Sequence, residues 1–207
     1  MKHFFILIGF FIGFHLQGQP AEVAFKKGIA KYNSNDYKGA ITDFSKTITL
    51  NPKHVSALYQ RAVCKERLED YKGSIEDYSK VIKLKPDYSD AYTKRAHSKF
   101  IMLNYSGTKE DYQAILADYS KAIELNPKDT VAYLHRGMTR EYLKNYNGAI
   151  HDYTKITEIS PNDAEAYYYR GNCEEKLGNK EAACESWRKA KDLGDTRAYP
   201  SISRNCD

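Results

Sequence analysis

The chain has 207 residues, a formal net charge of +5, and hydrophobic and charged fractions of 42% and 29%. That length holds one domain or an array of five or six short repeats, and the composition leaves no room for a long disordered tail. Lysines and acids are mixed throughout, so the mild basicity describes a solvated surface and gives no nucleic-acid footprint.

In chain order the first segment stands apart. Lys2 and His3 precede an apolar run from Phe4 to Phe14, and Leu16-Gln17-Gly18 follows. A basic start, a short apolar stretch and a small residue at the cut are the parts of a secretory signal peptide. The run is shorter than the roughly 20 apolar residues that a bilayer requires. The expectation is a signal peptide over 1–18, cleavage after Gly18, and a mature chain that is exported to the periplasm or beyond. Membrane contact is then confined to this transient segment; an uncleaved anchor is the alternative. No cysteine lies near the cut, so no lipid attachment point is expected there.

Beyond residue 20 the sequence keeps a register. Pro52 to Pro86 is 34 residues, Pro86 to Pro127 is 41, and Pro127 to Pro161 is again 34. Gly28, Ala62, Ala96, Gly137 and Gly171 hold the same spacing, as do Phe44, Tyr78, Tyr119, Tyr153 and Trp187. A small residue, an aromatic and a helix-ending proline at a 34-residue period describe a helix-turn-helix repeat. The small residue is expected where two helices cross closely, and the aromatic fills the same face. Proline ends the second helix because it disfavours helical geometry in the residue before it. The fold class predicted is an all-α, right-handed solenoid of five such repeats plus a C-terminal capping helix.

The pattern resembles the tetratricopeptide repeat family over about Ala21 to Asp195. The repeats run over 21–54, 55–88, 89–129, 130–163 and 164–195, with the cap over 196–207. Arg61, Arg95, Arg136 and Arg170 share one column, and Asp43, Asp77, Asp118 and Asp152 share another. They are expected to form structural ion pairs between the two helices of each unit. Tyr37, Tyr71 and Tyr146, like Tyr78, Tyr119 and Tyr153, are expected in the core. The extra seven residues of the third repeat are expected as a loop within Asn104–Tyr112, rich in polar residues around Gly107.

The chemistry of catalysis is not visible. His97, His135 and His151 occupy three different columns without a second ligand at helical spacing, and there is no Cys-x-x-Cys pair or Gly-rich phosphate loop. No catalytic residue, metal or cofactor is therefore expected. The resemblance implies instead that function resides in a groove lined by the first helix of each unit. The columns facing it hold Tyr59 and Val63, then Thr93, His97 and Phe100. They continue with Leu134, Met138 and Tyr142, and then Tyr168 and Asn172. Interleaved with Glu66, Glu141 and Glu175, these side chains suit an extended peptide or an amphipathic helix. The family's carboxylate clamp is absent, because Phe25 and Ile29 stand at its Lys and Asn positions. The expected role is a non-enzymatic protein-interaction scaffold with a protein or peptide partner and no nucleic acid. Alternatives are a carbohydrate-binding or catalytic envelope protein using a loop at 104–113, or an architectural assembly subunit. The oligomeric state is left open.

Four cysteines complete the reading. Cys64 and Cys173 share a column with Ala30, Ser98 and Thr139 and read as small packing residues. Cys184 stands in the column of Ile41, Ile75 and Ile150, taken as buried. Cys206 lies on a stripe with Tyr199 and Ile202 in the expected cap helix. A Cys184–Cys206 disulfide is predicted, with Cys173–Cys184 or free buried thiols as the alternatives.

Overall fold

A computed structural model describes residues 20–103 and 106–206. The expected signal peptide and Asn104-Tyr105 lie outside the described residues. Among those described there are eleven helices and no strand, and the chain is an all-α tetratricopeptide-type solenoid. Helix α1 spans 20–33, followed by α2 (Tyr37–Leu50), α3 (Val55–Arg67), α4 (Tyr71–Leu84) and α5 (Ser89–Leu103). Then come α6 (Lys109–Leu125), α7 (Thr130–Tyr142), α8 (Tyr146–Ile159), α9 (Ala164–Lys176), α10 (Lys180–Asp192) and α11 (Ala198–Asn205). The chain divides into two compact units, one up to Met102 and the other from Leu103.

Local sequence explains where these helices begin and stop. Asp36, Asp70 and Asn145 cap α2, α4 and α8 by accepting from the backbone N–H three residues on. Asp129 and Asp163 cap α7 and α9 in the same way, while His54 caps α3 through its ring nitrogen. The turns before α2, α4, α8 and α10 each use one left-handed residue. Asn35, Glu69 and Lys144 adopt it at φ near 60°, and Gly178 takes it freely at 80°.

Helices α2, α4 and α8 are each packed between their own first helix and the next. Phe44 and Ala40 of α2 lie against Ala57 and Cys64 of α3, with Phe25 and Ile29 of α1 alongside. Tyr153 and Ile156 of α8 likewise meet Tyr133 of α7 and Ala166 and Cys173 of α9. The small column receives the aromatic ring itself: a Cβ on Gly137 would stand 2.6 Å from Tyr153 Cε1, and one on Gly171 2.7 Å from Trp187 Cδ1. Ring insertion, more than backbone approach, is what the glycines permit.

Three expectations need correction. Tyr78, Tyr119 and Tyr153 are buried, but Tyr37, Tyr71 and Tyr146 at the helix starts are only half-buried. Ile41, Ile75 and Ile150 are also half-buried, whereas Cys184 in their column is buried. The third-repeat insertion is mostly helix. Helix α5 has 15 residues against 13 in α3, and α6 has 17 against 14 in α4. A capping box between Thr108 and Asp111 starts α6 a turn early, and Tyr112 is buried. The described part of the expected loop shrinks to 106–108.

Candidate functional site

The first helices carry the expected groove residues. In the first unit, Tyr59 is half-buried with its ring 5.6 Å from that of Tyr78 and 5.1 Å from that of Tyr88. Val63, His97 and Phe100 are half-buried, while Thr93 is buried and offers almost no surface. Phe25, Ile29 and Tyr32 of α1 extend the apolar character. Burial pushes the His97 imidazole down, against the pull of Glu66, so it is neutral at pH 7. Glu66 is committed to the fold: Ser98 donates to it at 2.6 Å and is itself in contact with Ser74 at 3.0 Å.

In the second unit, Leu134, Met138 and Tyr168 are half-buried and Tyr142 is exposed, its ring 4.5 Å from that of Tyr112. Arg197 lies over Tyr168 at 4.6 Å and is itself paired with Asp195 at 2.6 Å. Asn172 differs from the expectation: its side chain accepts from Trp187 Nε1 at 3.0 Å and serves the core. Glu141 accepts from the Tyr153 hydroxyl at 2.7 Å. Burial, reinforced by Glu141, holds that phenol neutral far above its ordinary range. Glu141 and Asn172 are thus spent on the fold, while Tyr142 is exposed and Leu134, Met138 and Tyr168 are partly so.

The ion-pair columns are more elaborate than the sequence suggested. Arg61 grips Asp77 with two nitrogens at 2.8 and 2.7 Å, and Lys65 adds a third contact at 2.8 Å. Arg136 and Arg140 repeat the arrangement on Asp152. Asp43 pairs with Lys31, because its own unit has Lys27 in the arginine column. In the last unit the acid has moved. Ser186 stands where aspartate is expected, and Glu174 replaces the second cation, accepting from Ser186 at 2.6 Å and lying 3.5 Å from Arg170. The second-cation column was visible in the alignment of Lys31, Lys65 and Arg140. Its partner was not, because sequence spacing does not say which neighbouring helix a long side chain crosses.

Models of the tetratricopeptide repeat match residues 25–89, 131–163 and 152–185, together more than half of the chain. The chain belongs to the tetratricopeptide-repeat family. Among solved structures, MamA superposes with a TM-score of 0.75 at 24% identity, over 83% of this chain and 96% of that one. MamA from Desulfovibrio magneticus RS-1 gives 0.77 at 17% identity, over 87% and 99%. YrrB, described as a tetratricopeptide protein with an unusual peptide-binding site, gives 0.74 at 21% identity, over 87% and 90%. These likenesses carry the fold. No curated protein matches the chain significantly.

Two open clefts of this tetratricopeptide array lie in its second unit, each lined from a first and a second helix. Lys109, Gln113, Leu116 and Arg140 line one, and Tyr167, Arg170, Glu185 and Arg188 line the other. Among the described residues no cluster of three His, Cys, Asp or Glu could hold a metal, and no helix is long and apolar enough to cross a membrane. A disulfide joins Cys184 to Cys206, with Cα atoms 5.6 Å apart. Cys64 and Cys173 are free and buried; burial pushes the Cys64 thiol up to about 11, which keeps it protonated and inert.

Proposed function

We propose that this tetratricopeptide array is an exported, non-enzymatic scaffold that binds a peptide or helix of a partner protein on its first-helix faces. The supporting observation is the division of labour on those faces. Glu66, Glu141 and Asn172 are held in structural hydrogen bonds, while Tyr59, Phe100, Met138 and Tyr142 present apolar surface suited to side chains of a docked segment. YrrB, a relative in fold, has a peptide-binding site, which agrees with this reading. The loop-based alternative is weakened by the helical 109–113 and the buried Tyr112.

The test is a pull-down from envelope extract with the wild-type chain and a Phe100→Glu/Met138→Glu variant side by side. The expected result is one dominant protein retained by the first and lost by the second, with circular dichroism unchanged. Partner retention by the variant, together with loss on editing 106–111, overturns the proposal. Export is checked separately by N-terminal sequencing of material from the native host. A start at or near Gln19 is expected, and intact Met1 in a membrane fraction would sink the exported reading.

A further inference from the structure

Helix α11 is only eight residues long and would not hold its shape alone. It rests on α10 through Ala198 and Ile202, which pack with Ala183, Trp187 and Ala190. Asn205 donates to Glu175 at 2.9 Å, and Arg188 donates to the Cys206 carbonyl at 3.2 Å. The covalent tie is Cys184–Cys206, and it lies at the surface. An open cleft there is lined by Lys180, Glu181, Cys184, Arg188 and Cys206.

The two cysteines differ in exposure. Cys184 is buried on α10, and Cys206, just beyond α11, is half-exposed. An incoming thiolate therefore reaches Cys206 first and expels Cys184. Lys180 and Arg188 flank Cys184 at four residues on either side, on the same face of α10; among the described residues lining the cleft, Glu181 supplies the carboxylate. Two cations beside a sulfur stabilise it as a leaving thiolate, and a better leaving group exchanges faster.

We propose that Cys184–Cys206 is a thiol–disulfide exchange site at which a dithiol reductant unlatches α11. The reductant's thiolate attacks Cys206 Sγ, forming a mixed disulfide, and Cys184 departs with the bonding pair and takes up a proton. The reductant's second thiol, deprotonated, then attacks its own sulfur in the mixed disulfide and releases Cys206, which is protonated in turn. The reductant ends as a disulfide and the protein as two thiols. The freed α11 uncovers the α10 face around Trp187. Cys64 and Cys173 are sealed in the core and do not compete.

The experiment treats the oxidised full chain with dithiothreitol under native conditions. Differential alkylation should label Cys184 and Cys206 well before Cys64 and Cys173. Trp187 is the single tryptophan and is buried beneath the cap, so its emission should shift to the red on reduction. Amide exchange over 198–206 should accelerate at least about tenfold while 164–176 stays protected. A Lys180→Gln/Arg188→Gln variant should be reduced about threefold or more slowly. A Cys184→Ser/Cys206→Ser variant should show the exposed Trp187 without reductant. Labelling of all four cysteines together, or reduction that leaves Trp187 emission and exchange unchanged, overturns the proposal. A reduction rate indifferent to the two cations overturns the assigned leaving group.

Discussion

Gly137→Leu is expected to destabilise the fold by about 3 kcal/mol or more, the upper range for forcing atoms into a packed core. The ring of Tyr153 occupies the space where even a Cβ would fall, and Tyr153 is fully buried with its hydroxyl held by Glu141. The ring has nowhere to go without breaking that bond. Gly137→Ala is a milder case, since the repeats with Ala62 and Ala96 pair alanine with Tyr78 and Tyr119 in the same columns. There, helix propensity returns up to about 1 kcal/mol and offsets a small shift of the ring. Urea denaturation followed by far-ultraviolet circular dichroism separates the two. A Leu variant within about 1 kcal/mol of wild type would show that the ring is not seated on this glycine.

Asp77→Ala is expected to cost about 3–5 kcal/mol, because it strands two cations that the fold has partly buried. The side chains of Arg61 and Lys65 are 15% and 17% exposed, and that of Asp77 is 1% exposed. The effect has a pH signature. Burial alone would raise the Asp77 carboxyl, but hydrogen bonds from Arg61 and Lys65 outweigh it and hold the group below its ordinary value. A depressed carboxylate adds stability that is fully present above its unfolded pKa of about 3.9 and is lost as pH falls through the lower folded value. The gap between wild type and variant should thus be level from about pH 5 to 8 and close below about pH 4. A gap that does not narrow at all as pH falls from about 5 towards 2 would mean the charge on Asp77 is not what stabilises the array.

Legibility followed the chemistry of the columns. The small residue, the aromatic and the terminal proline each answer to a local steric demand, so the helix pairs could be read without coordinates. The Cys184–Cys206 pairing was legible for a related reason: one cysteine replaces a repeated isoleucine and the other lies on an apolar stripe. The insertion was misread as loop because Asn104–Gly107 is polar, yet Thr108-Lys109-Glu110-Asp111 carries the spacing of a capping box and marks the early start of α6. Thr93 and Asn172 were placed in the groove by column alone. A column gives the direction of a side chain along its own helix, and says nothing of Trp187 arriving from α10 to claim Asn172. The acid that moved from the Ser186 column to Glu174 is a compensated swap, visible only when both columns are compared.

The arginine column also reaches backward. Arg61 donates to Ser45 at 3.0 Å, Arg95 to Ser79 at 3.2 Å and Arg136 to Ser120 at 3.0 Å, each serine lying on the second helix of the preceding repeat. For Arg61 and Arg136, one guanidinium therefore spans a joint, with its own aspartate on one side and a neighbour's hydroxyl on the other. In a linear array, stability divides into what each unit holds alone and what each nearest-neighbour junction adds. A glycine under a tyrosine belongs to the first kind, and these forks belong to both. A repeat that frays gives up its aspartate clamp and also releases the serine next door, so the loss is shared across the junction. That coupling sets the steepness of the unfolding transition, and through it whether neighbouring repeats melt one at a time or together.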